Sequence, residues 1–168
     1  MSKLALNKVL RKFPDYVIDS HAQHGNDTVV IKKEALIKVV TFIKESRQLN
    51  MDMLVDITCV DYPEADERFM MVYHFYSTTE KHRLRIKAMV SEEDIYIDSL
   101  VPIWDSANWL EREVYDMFGV KFNNHPNMTR ILMYESFKGH PLRKDYSITK
   151  RQPIPVELMN STSGGLDE

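Results

Sequence analysis

The apolar periodicity of this chain stops after Phe122. From Trp109 to Tyr146 the sequence crowds charges, aromatics and two His-Pro pairs, His125-Pro126 and His140-Pro141, onto a helix and the segment behind it. Helices and strands are held in a domain mainly by burying one apolar face. A long stretch without a helical or strand period therefore builds no core of its own. The pattern predicts an α/β core domain over residues 1–122 and an extended, partner-binding tail over 123–168. Ser161-Thr162-Ser163-Gly164-Gly165 marks the last ten residues or so as disordered.

The charge pattern supports the same division. Residues 121–151 hold 7 basic and 2 acidic side chains, against 15 basic and 20 acidic in residues 1–120. The basic block is thus a local patch and not a bias of the whole chain. A pI of about 6.1 argues against nucleic acid as the partner. The single cysteine, Cys59, can neither ligate an iron–sulfur cluster unaided nor close an intrachain disulfide. No apolar run reaches the roughly 18 residues of a spanning helix.

Within the core, Leu6, Val9, Leu10 and Phe13 recur at helical spacing. Two β-favouring runs around Gly25-Asn26-Asp27 predict a hairpin. Residues 33–48 predict a helix with Leu36, Val39, Val40 and Ile43 as its core stripe. Three strands follow: Leu54 to Val60, Phe69 to Tyr76 and Arg83 to Val90. The second is apolar on both faces, which predicts an interior position. The third alternates strictly, with Leu84, Ile86, Ala88 and Val90 on one side and Arg83, Arg85 and Lys87 on a wet or partner-facing side. A short run from Ile95 to Leu100 and a helix from about Ile103 to Phe118, stopped by Gly119, complete the core. This order predicts an α+β two-layer sandwich: a mixed sheet of about five strands, helices on one face, and an extended C-terminal tail.

The last helix carries Ala107, Leu110, Val114 and Phe118 on one stripe, and Glu111 falls on that stripe too. Arg112, Glu113 and Asp116 lie on the other side, beside Trp109. Glu111 and Glu113 point about 200° apart, so these acids do not clamp one ion, and a structural ion-pair network is the better reading. A carboxylate on a buried stripe needs a cation or several N–H donors. Arg130 and Arg143 arrive later in the chain, which predicts that Glu111 pins the returning tail to the helix. His125 and His140, each before a proline, are expected to make backbone-directed hydrogen bonds at bends. No nucleophile setting or phosphate-binding loop is present. The sequence therefore predicts no catalytic, cofactor-binding or metal-binding residue in this chain.

Glu111-Arg112-Glu113, Asp116, Gly119, Phe122, His125-Pro126, Arg130-Ile131-Leu132 and Gly139-His140-Pro141-Leu142-Arg143-Lys144-Asp145-Tyr146 together resemble the signature of one family of peripheral subunits, the thirty-kilodalton subunits of the proton-pumping NADH:quinone oxidoreductase, respiratory complex I. Met133-Tyr134 and Ser136-Phe137 stand where that family often has a proline and a tryptophan. The resemblance implies a cofactor-free peripheral-arm subunit of a membrane-bound translocase, on the cytoplasmic side of a bacterial inner membrane. FMN and Fe-S clusters would lie in partner subunits. The implied neighbours are the quinone-site subunit and the Fe-S subunit that holds the terminal cluster. Trp109, Arg130, Phe137, His140, Arg143, Lys144, Asp145 and Tyr146 are the expected interface residues. The rival within the family's relatives is the equivalent subunit of a membrane-bound hydrogenase or formate hydrogenlyase-type complex. Outside it stand a hydrolase using Glu113, Asp116 and His125, and an adaptor unrelated to electron transfer.

Overall fold

The computed structural model describes residues 3–156. Helix α1 (Leu4–Lys12) buries Ala5, Leu6 and Val9. Strands β1 (Val17–Gln23) and β2 (Asn26–Ile31) form the predicted hairpin. Its turn residues His24 and Gly25 both have positive φ, at 53° and 75°. This is the mirror-image turn geometry that matches the right-handed twist of paired strands. Helix α2 (Leu36–Glu45) carries the expected stripe of Leu36, Val39, Val40 and Ile43, all buried. A single 3₁₀ turn over Lys33–Ala35 replaces the first turn of the helix expected from residue 33, and the helix ends at Glu45 instead of 48.

Strands β3 (Met53–Asp61), β4 (Phe69–Tyr76) and β5 (Arg83–Val90) complete a five-stranded sheet of order β1-β2-β5-β4-β3. β2 and β5 run parallel and the other pairs antiparallel, so the sheet is mixed as expected. β4 lies inside the sheet. Two further three-residue strands, β6 (Tyr96–Asp98) and β7 (Lys121–Asn123), pair in parallel as a separate ribbon. They bracket helix α3 (Ala107–Phe118), which begins one turn later than Ile103 because residues 100–104 form tight turns.

One face of the large sheet makes the core. Val29, Ile31, Ile57, Cys59, Met71, Tyr73, Ile86 and Ala88 stand together there and join the buried residues of all three helices in one cluster. Burying that much apolar surface, at roughly 25 cal/mol per Å², is the main term holding the two layers together. The opposite face lies outside this cluster.

The tail from residue 124 has no helix or strand up to Pro155. Its expected disordered end, in the last ten residues, lies outside the described residues. Met128 and Met133 of the tail pack against the core. The segment therefore rests on its own domain, which its lack of periodicity did not foretell.

Candidate functional site: a tail clasped over helix α3

Two buried carboxylates organise the tail. Asp116, at the inner end of α3, is 0% exposed. Its Oδ1 accepts from Arg130 Nη1 at 2.6 Å, and its Oδ2 accepts from the backbone N–H groups of Ile131, Leu132 and Met133 at 3.1, 2.8 and 2.8 Å. Burial raises the pKa of this carboxyl, but the amides of Met133, Leu132 and Ile131 with the Arg130 guanidinium outweigh it, so the net shift is downward. A loop thus folds around an anion in the way a main-chain nest does.

The second carboxylate is Asp61, at the end of β3. Arg68 Nε and Nη2 grip it at 2.7 and 2.9 Å, and the Lys144 N–H reaches it at 2.7 Å. Arg68 also contacts Glu92 at 2.9 Å and Asp145 at 3.0 Å. The Arg68 hydrogen bonds, aided by the Lys144 amide, hold Asp61 below its usual carboxylate range against the cost of burial. These groups fix tail residues 144 and 145 to the rim of the sheet.

Between the two anchors the tail crosses the C-terminus of α3. Gly119 caps that helix with φ +82°. A Cβ there would lie 2.6 Å from His140 Nε2 and 2.8 Å from Arg143 Nη2. Glycine is needed both for the left-handed turn and for the close approach of the tail. His140 Nδ1 sits 3.0 Å from the Asp116 carbonyl and donates to it, and Arg143 Nε donates to the Phe118 carbonyl at 2.6 Å. Cations and donors at a helix C-terminus offset its unpaired carbonyls and its negative end. His125 accepts from Asn127 N–H at Nδ1 and places Nε2 3.2 Å from the Asn108 carbonyl. Both His-Pro histidines make the expected backbone bonds. Burial, with Arg112 beside one and Arg143 and Arg130 beside the other, holds both below their ordinary pKa.

Glu111 is fully buried as predicted, but it does not meet the tail. Its Oε2 accepts from Ser99 Oγ at 2.7 Å and its Oε1 from the Leu100 N–H at 2.6 Å. Glu111 thus ties α3 to the end of β6. The expected pairing with Arg130 or Arg143 is corrected: Arg130 pairs with Asp116, and Arg143 with Phe118 and Glu92. Among the described residues no cation pairs with it, so burial dominates the two hydrogen bonds and pushes the Glu111 carboxyl up to about 7. Asp116 is likewise not on a solvated face with Arg112. Arg112 donates instead to the carbonyls of Thr129 and Arg130 and lies over the Trp109 ring, while Glu113 is exposed.

Several expected interface residues are thus engaged within the chain. Phe137 stacks on Tyr146 and meets Tyr134 edge-on, and Arg143 lies over Phe69. Pro126 shapes the bend after His125, and Lys144 contributes its backbone. Exposed apolar side chains of α3 and the tail include Trp109 at 61%, under the Arg112 guanidinium, and Leu132, Leu142, Ile148, Ile154 and Val156. The sequence pattern did not single out Asp61, Arg68, Glu92 or Ser99. Asp61 had a signal: it follows Ile57 and Cys59 on the inward face of its strand, with Arg68 seven residues on. Among the described residues no three His, Cys, Asp or Glu side chains converge as metal ligands.

A two-layer α+β domain with the segment from residue 124 clasped across one helix end defines the class of module. Among the described residues no helix is long and apolar enough to cross a membrane. Residues 29–152 match the model of the respiratory-chain NADH dehydrogenase 30 kDa subunit. The chain is 48% identical over 157 residues to an NADH-quinone oxidoreductase subunit of Geobacter sulfurreducens, covering 92% of this chain and 96% of that protein. It is 45% identical over 156 residues to the same-named subunit of Citrifermentans bemidjiense, with the same coverage. A solved structure of a trypsin-resistant fragment of Nqo5 superposes with a TM-score of 0.65 at 31% identity, covering 73% of this chain and 98% of the fragment. A chain of an archaeal membrane-bound sulfane sulfur reductase shares the fold, with a TM-score of 0.74 at 20% identity over 98% of this chain and 92% of that one. The chain belongs to the 30 kDa subunit family of respiratory-chain NADH dehydrogenase, also called NADH-quinone oxidoreductase.

Proposed function

We propose that this chain is a cofactor-free brace in the peripheral arm of an NADH:quinone oxidoreductase. It lies on the cytoplasmic side of a bacterial inner membrane, against the quinone-site subunit and the Fe-S subunit that holds the terminal cluster. The oxidoreductase and translocase activity belongs to the assembly, in which electrons pass from NADH through flavin and Fe-S clusters to quinone. This chain contributes no reacting group. It contributes a rigid arm whose exposed side chains, Trp109, Leu132, Leu142 and Ile148, have no intrachain core to enter.

The observation that carries this reading is the near-complete mutual coverage at 45–48% identity with named NADH-quinone oxidoreductase subunits. The chemistry of the chain supports the cofactor-free part. Cys59 is buried and its thiol is pushed up to about 12, chiefly by desolvation, which makes it a poor thiolate ligand. A hydrogenase-type assembly is the less favoured reading, because the relatives with 45–48% identity carry the quinone oxidoreductase name.

Native purification of the tagged chain from detergent-solubilised membranes tests the proposal. The quinone-site and terminal-cluster subunits should be retained, with iron and flavin in the complex. The chain freed from them should hold neither iron nor flavin in stoichiometric amount. A cofactor on the isolated chain, or recovery of the chain without those two neighbours, contradicts it.

A further inference from the structure

The face of the sheet turned away from the helices carries a charge pattern that nothing in the fold uses. Strand register places His21, Thr28, Arg85, His74 and Asp56 in one row across it, and Asp19, Val30, Lys87, Val72 and Thr58 in the next. Met89, Met70 and Val60 form a third, apolar row, with Val60 37% exposed. Down its middle strand run Arg83, Arg85 and Lys87. Arg83 stacks on the Tyr76 ring, but among the described residues none of the three forms an ion pair, while all the ion pairs of the tail lie elsewhere. Asp19 and Asp56 flank the stripe and Asp27 stands at its end, each without a described cation within salt-bridge distance.

A hollow of about 210 Å³ opens at the lower end of this face, lined by Asn26, Asp27, His74, Arg83 and Arg85 among others. It is roomy enough for a carboxylate side chain, and two guanidinium groups, of Arg83 and Arg85, outnumber the one carboxylate on its wall, Asp27. After burial, the charges that most oppose protonation of His74 are Arg85, then Arg83 and Lys87, which places a positive field over the face despite the nearby Asp56. A solvated sheet surface normally mixes its signs in cross-strand pairs. A basic strand beside an apolar row, with its cations unpaired, has instead the make-up of an interface.

We infer that the open face of the sheet is a second docking surface, which receives an acidic segment of a neighbouring subunit, one of its carboxylates seated between Arg83 and Arg85. This rests on the reading of the chain as a subunit of the oxidoreductase, and it names a surface separate from the clasped tail. Lys87, at the end of the stripe away from the hollow, faces the same segment.

The test uses tagged wild-type chain and the variants R85E/K87E and R85K/K87R, each purified from membranes with its neighbours, with thermal unfolding of each chain measured alongside. Charge reversal should lower the partner subunits recovered per chain at least tenfold at low salt, and the charge-conserving pair should recover them. Undiminished recovery with R85E/K87E overturns the inference. Carbodiimide cross-linking of the wild-type complex gives a second readout if the reversed variant does not fold. An amide from Lys87 to an Asp or Glu of another subunit supports the inference, and products only to Asp19 or Asp56 of the same chain overturn it. Wild-type binding to phosphatidylserine vesicles that is lost with R85E/K87E would assign the face to a membrane and likewise overturn it. If wild-type chain recovers no partner subunits at all, the subunit reading itself fails, a distinct outcome.

Discussion

Asp116 and Arg130 are joined at 2.6 Å across the end of α3, and the same carboxylate collects three successive amides of the tail. Removing the anion leaves a guanidinium and three N–H groups without their acceptor. Asp116→Ala should therefore cost about 3–5 kcal/mol in denaturant unfolding. Asp116→Asn, which keeps one acceptor oxygen, should cost less. The tail of Asp116→Ala should also be cut by trypsin faster than that of the wild type.

The same carboxylate sets an acid limit. Its pKa is lower when folded than its ordinary 3.8, so its contribution is fully present above that value. The contribution is lost as pH falls below 3.8 and through the folded pKa. Asp61 behaves alike. The arm should loosen in acid before the sheet does, measured as tail amide exchange against core amide exchange.

Glu111 predicts the opposite sign. Its pKa rises from 4.5 to about 7 on folding, so the native state binds the extra proton. The stabilisation is complete below 4.5 and disappears as pH rises through about 7. Wild type should lose on the order of 3 kcal/mol across that window from this group. Glu111→Gln should flatten the profile, and a slope left unchanged by that substitution in urea titrations between about pH 5 and 8 contradicts the assignment.

Arg68 and Asp145 separate a buried partner from an exposed one. Arg68→Met strands the buried Asp61 carboxylate and should cost several kcal/mol, on the order of 3. Asp145→Ala removes a partner whose side chain is 58% exposed and should cost less than about 1 kcal/mol. Chemical denaturation of both variants checks the contrast.

Gly119→Ala forces a Cβ onto His140 and a side chain into φ +82°. The strained turn alone costs about 1 kcal/mol or more. Displacement of His140 from the Asp116 carbonyl adds to this. Thermal unfolding should show a clear drop, with the tail again the more protease-sensitive part.

Sheet and helices were legible because each carries a clean period. Leu84, Ile86, Ala88 and Val90 alternate, and Leu36, Val39, Val40 and Ile43 recur at helical spacing, so their burial follows directly. The tail was legible only as a segment without a period. Asp116 gathers successive backbone amides, and main-chain donors leave no residue-type trace in a sequence. That is why Glu111, not Asp116, was expected to draw the arginines. Glu111 is satisfied by the Ser99 hydroxyl, twelve residues away on another element, and by the Leu100 backbone N–H, which any residue there would offer.

Support of electron transfer without any part in its chemistry is the central role we propose for this chain. The direct measurement is NADH-driven quinone reduction in membranes of a bacterium deleted for its own homologue, with and without this chain supplied. Activity and the assembled arm should both vanish on deletion and return together when the chain is restored. Full activity in the deleted membranes, or NADH oxidation by the purified chain alone, would contradict it.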